Sequence, residues 1–90
     1  MFNPRNFLVS AEEAKKTSLE KADALAKHIL SQLNEEVHRK TGLGVHECIY
    51  HCEPSDTTKK MVDESLRQLG YKFRYVASHS YASGYYSISW

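Results

Sequence analysis

Ninety residues leave room for one small domain with a modest core. Apolar residues at 41% and charged residues at 26% fit an ordinary globular protein, and no apolar run approaches the ~18 residues of a membrane span. Twelve basic against eleven acidic residues give a net charge of +1, which excludes a global electrostatic attraction to nucleic acid or to an anionic membrane and leaves only local patches.

Residues 1–9 read as an N-terminal arm without the apolar core of a signal peptide. Ser10-Ala11-Glu12-Glu13 is a capping box, in which the Ser10 hydroxyl accepts from the amide of Glu13 and the Glu13 carboxylate reaches back. A long helix over 10–41 follows, free of Gly and Pro, with Gly42 as its natural stop. Acid–base pairs at i,i+4 run along it: Glu12–Lys16, Asp23–Lys27, Glu35–Arg39 and Glu36–Lys40. Leu19, Ala22, Ala26, Ile29 and Leu33 form an apolar seam at 3-4 spacing, suited to helix–helix packing. Such a helix spans roughly 46 Å, against a diameter of about 30 Å for a compact globule of this size. Either it breaks, near Thr17-Ser18 or Ser31-Gln32, or it overhangs and pairs with another chain. The expectation is a homo-oligomer through that seam.

Residues 45–52 read as a strand and Ser55 or Asp56 as the cap of a second helix. That helix carries Met61, Val62, Leu66 and Leu69 on one face and closes at Gly70, with Tyr71 packing back on the last turn. The next strand alternates Tyr71, Phe73, Tyr75 and Ala77 against Lys72, Arg74 and Val76. After a turn over 78–84, a final strand sets Tyr86, Ile88 and Trp90 against Tyr85, Ser87 and Ser89. Strand, helix, strand implies a parallel right-handed crossover, and the last two strands are close enough for an antiparallel hairpin. The expected fold is α+β in two layers: the long helix, then a β-α-β-β unit over 45–90. Both helices lie on one face of a three-stranded mixed sheet.

The densest group of reactive side chains is His46, Cys48, His51 and Cys52. Cysteines four apart on a strand lie roughly 13 Å apart, beyond the ~7 Å reach of a disulfide, so both read as reduced thiols in a cytosolic setting. Four ligands on one strand do not converge on a tetrahedral metal, and no C-x₂-C pair is present, so no metal is expected. A thiol nucleophile would need His28, His38 or His79 brought to it by the fold. Glu12/Glu13 and Glu35/Glu36 read as solvated helix faces, and Gly42-Leu43-Gly44 lacks the lysine and following helix of a phosphate loop. No catalytic residue and no cofactor are expected. The aromatics of the last twenty residues carry more: Lys72 and Arg74 interleave with Tyr71, Tyr81, Tyr85 and Tyr86, a pattern with which sheets hold a nucleotide base or single-stranded nucleic acid. The same tyrosines suit the rim of a protein interface.

The helix start Ser10-Ala11-Glu12-Glu13-Ala14, the exit Leu66-Arg67-Gln68-Leu69-Gly70-Tyr71-Lys72 and the close Tyr85-Tyr86-Ser87-Ile88-Ser89-Trp90 resemble small α/β proteins of tailed bacteriophages and prophages that end in an Ile-Ser-Trp strand. That resemblance implies a phage protein, a host-directed accessory factor in the host cytoplasm or a minor virion component, and the expected action is non-enzymatic, by binding. Its partner would be a host or virion protein, with no membrane involved. The alternative is a nucleotide or single-stranded nucleic-acid binder, such as a sponge for a signalling nucleotide.

Overall fold

The computed structural model describes residue 3 and residues 8–90; most of the expected N-terminal arm therefore lies outside the described residues. The elements follow the expected order: helix α1 (Ala11–Gly42), strand β1 (Glu47–His51), helix α2 (Asp56–Gln68), strand β2 (Lys72–Val76) and strand β3 (Tyr85–Ser89).

Both helices begin on a serine. The Ser10 hydroxyl accepts from the amide of Glu13 at 3.1 Å, and Ser55 accepts from the amide of Thr58 at 3.4 Å, each satisfying an amide that the helix itself leaves without a partner. Among the described residues only this half of the Ser10 capping box is made. α1 then runs uninterrupted for 32 residues, about 48 Å, so neither candidate break occurs.

The stop at Gly42 needs correction. Gly42 is still helical, and Gly44 takes the left-handed conformation at φ 74°. The Val45 amide donates to Lys40 O at 2.9 Å and the Gly44 amide to Thr41 O at 3.0 Å. These are the two bonds of a Schellman closure, which places the glycine at C′, two residues later than the first available one. Gly70, at φ 85°, closes α2 the same way, with Tyr71 donating to Leu66 O at 3.0 Å. Because Val45 is committed to the helix end, β1 starts after it. Cys52 lies beyond the other end of β1, its amide donating to Gly84 O at 3.1 Å.

The sheet order is β1-β3-β2. β1 and β2 point the same way, as the strand–helix–strand connection requires, and β3 runs between them in the opposite sense. The two parallel-directed strands are therefore not neighbours, and both ladders are antiparallel. Cross-strand rows alternate between the two faces. Cys48, Ile88 and Phe73 share one row, and Tyr50, Tyr86 and Tyr75 the next. Both helices pack on this face. Its core joins Ala26, Ile29 and Leu33 of α1 to Val62 and Leu66 of α2 and to Cys48, Tyr86 and Ile88 of the sheet. Fully burying each large apolar side chain contributes about 1.5–3 kcal/mol.

Three polar contacts fix this core. The Tyr86 hydroxyl donates to Asp63 at 2.8 Å, and Lys59 pairs with the same carboxylate at 2.6 Å. The Tyr75 hydroxyl donates to the Cys52 carbonyl at 2.8 Å. It lies against Gly84, where an added Cβ would fall on the Tyr75 hydroxyl oxygen; a glycine is needed there for the close approach.

Candidate functional site

Among the described residues no helix packs on the second sheet face. Its rows are Glu47–Ser89–Lys72, Ile49–Ser87–Arg74 and His51–Tyr85–Val76. Glu47, Ile49, His51, Lys72 and Arg74 are exposed, and the central Tyr85, Ser87 and Ser89 are half-buried. The Tyr85 and His51 rings lie 5.6 Å apart, tilted at 59°. At the other end a shallow depression of about 250 Å³ is lined by Lys72, Phe73, Arg74, Ser87 and Ser89. Among the described residues neither Lys72 nor Arg74 has an ion-pair partner, whereas Lys27, Arg39 and Lys59 each sit on a carboxylate at 2.6–2.9 Å. Arg39 pairs with Glu36 rather than with the expected Glu35.

Of the six binding candidates, this face brings together Lys72, Arg74 and Tyr85. Tyr86 is not part of it: it is fully buried on the helix-covered face. Burial, and then its bond to Asp63, pushes its phenol far above the ordinary range. Tyr71 also belongs to the covered side, packed against the core and edge-on to Trp90 at 6.2 Å. Both corrections follow from strand period: Tyr86 stands one residue from Tyr85 and Tyr71 one from Lys72, so each points away from its neighbour's face. Tyr81 is 95% exposed in the loop between β2 and β3, its amide donating to His79 Nδ1 at 3.3 Å. The same parity brings three further residues to this face, namely His51, Ser87 and Ser89.

The helix seam divides. Ala26, Ile29 and Leu33 are in the chain's own core, and Ala22 is buried as well, so these four are covered within the chain itself. The physical reason is that α2 and the sheet offer an apolar face within the same chain. Leu19 is different: it is 46% exposed, and every residue from 11 to 21 is exposed. The molecule measures 67 × 31 × 18 Å with a radius of gyration of 17.3 Å, against about 12 Å for a compact chain of this length. The first three turns of α1 project from the globule, with Leu8, Val9 and Leu19 presenting apolar surface there.

The cysteine–histidine group does not assemble. Cys48 is buried in the core and Cys52 half-buried at its edge, both as free thiols. Burial raises the pKa of each, with the Glu36 carboxylate adding to the rise at Cys48, so both stay protonated and are poor nucleophiles. Among the described residues no hydrogen bond joins a thiol to a histidine, and no three His, Cys, Asp or Glu side chains converge as metal ligands. No helix among them is long and apolar enough to cross a membrane. Comparison with models of protein families, with curated proteins and with solved structures finds no match.

Proposed function

We propose that this chain is a non-enzymatic phage protein that works by binding, as a homo-oligomer in which the projecting turns of α1 pack against a second copy. The observation that carries this reading is the exposure of residues 11–21 on a helix that is nevertheless continuous with the core. A solvated helical arm of three turns is marginal by itself. Leu19 continues the line of Ala22 and Ala26 beyond the end of the globule, so a second helix laid along it would extend the seam that the sheet and α2 cover further on. The resemblance to small phage proteins supplies the setting, a host-directed accessory factor or a minor virion component. Those two roles divide on whether the protein copurifies with assembled particles.

Light scattering at tens of micromolar tests the assembly. The expected mass is a multiple of the 10.3 kDa chain, falling to that of one chain in Leu19→Glu while the thermal midpoint of the domain holds. A wild-type protein that stays monomeric at these concentrations defeats the reading.

A further inference from the structure

We propose that the uncovered sheet face binds a short stretch of single-stranded nucleic acid, its phosphates along β2 and its bases across β3. This surface is distinct from the projecting helix and does not depend on self-association. The charge layout gives the polarity. Lys72 and Arg74 stand on the β2 edge without ion pairs among the described residues, while the β1 edge opposite carries Glu47. At that second edge Lys40 of α1 lines a depression together with Glu47, Ile49 and Ser87 and offsets the carboxylate, so a polyanion is drawn most strongly to the first edge, where the two cations stand together. The two cations are two residues apart on one strand, about 7 Å along it, a separation that lets each take one of two successive phosphates.

Between the edges lie groups that suit bases. Ser87 and Ser89 floor the depression beside Lys72 and Arg74 with hydroxyls that donate and accept. Tyr85 and His51 close the other end as a tilted ring pair on which a base can stack. The face is open and nearly flat. Pockets for small ligands are concave and bury most of the ligand, so this shape favours a strand lying across the sheet over an enclosed free nucleotide. Five residues of β2 span about 17 Å, enough for two or three nucleotides.

The test is fluorescence anisotropy of a labelled oligothymidylate with the intact chain over a salt series. With two phosphates neutralised, log K should fall against log salt with a slope near −1.4, and Lys72→Ala or Arg74→Ala should each bring it to about −0.7. Tyr85→Ala should weaken binding on the order of tenfold at every salt concentration, and Glu47→Gln should strengthen it slightly. Tyr81→Ala, in the neighbouring loop, should change nothing. Lys72 and Arg74 are exposed, so their replacement leaves the core intact, which circular dichroism checks. No binding at low salt overturns the proposal. So does binding that survives the Lys72→Ala/Arg74→Ala double variant, or thymidine monophosphate binding as tightly as the oligomer.

Discussion

The two ends of α1 belong to one continuous helix and have opposite surroundings. From Ala22 onward the helix buries one side chain every three or four residues, as Ala22, Ala26, Ile29 and Leu33. Before it, the same helix keeps its geometry while every side chain meets solvent. Backbone bonds and a serine cap are enough to continue a helix off a packed segment, since elongation needs no new nucleus. They do not give that extension the stability of the packed part. Amphipathic spacing therefore marks a surface able to pack; whether it is packed depends on how far the rest of the chain reaches.

The widest separation between the two ends should come from truncating one leucine in each. Leu33→Ala is expected to cost about 2–5 kcal/mol in urea unfolding, and Leu19→Ala to stay within about 0.5 kcal/mol below the concentration of assembly. Equal losses would break the contrast. On the packed side, Gly84→Ala should cost about 1–3 kcal/mol, because the new methyl displaces the Tyr75 ring and its bond to the Cys52 carbonyl.

Alkaline pH sharpens the same comparison. Cys48, Cys52 and Tyr86 all have raised pKa values in the fold, from ordinary values of 9.0 for the thiols and 10.0 for the phenol. The folded chain keeps these protons where the unfolded chain has released them. Stability from these groups is thus whole below about pH 9 and declines above it, by at most about 1.4 kcal/mol per pH unit for each group. Unfolding midpoints between pH 8 and 11 should show a fall that Tyr86→Phe makes shallower above pH 10. All three groups belong to the packed part, so the Leu19→Ala variant should keep the wild-type profile.

The smallest effect compares the two serine caps. Ser55→Ala should lower global stability by about 1 kcal/mol, since α2 is held in the core. Ser10→Ala breaks the same kind of bond, yet its loss should appear as faster amide exchange in the first turns of α1 with the global midpoint unchanged. A matching drop in both midpoints would mean that the projecting arm folds as one unit with the globule.

Much of this was legible locally. The caps at Ser10 and Ser55, the closure at Gly70 and the alternation of both C-terminal strands follow from residue chemistry and spacing. The early stop at Gly42 was misplaced because two glycines stand two residues apart, and only the bonding of Val45 and Gly44 to the last turn selects between them. Tyr86 and Tyr71 were grouped with Lys72 and Arg74 by proximity in the chain, although the strand period already separated them. The bond from Tyr86 to Asp63 spans 23 residues and had no local signal.

By itself, then, the sequence determined the element order and the two-faced character of each strand, because propensity, capping and period are properties of neighbouring residues. Only the tertiary structure decided that β3 lies between β1 and β2. That order sets Tyr85, Ser87 and Ser89 as a floor between Lys72 and Arg74 on one edge and Glu47, Ile49 and His51 on the other. It also decided where along α1 burial stops. Both outcomes depend on pairings between residues far apart in the chain, which compete as whole arrangements and leave no mark on any single stretch.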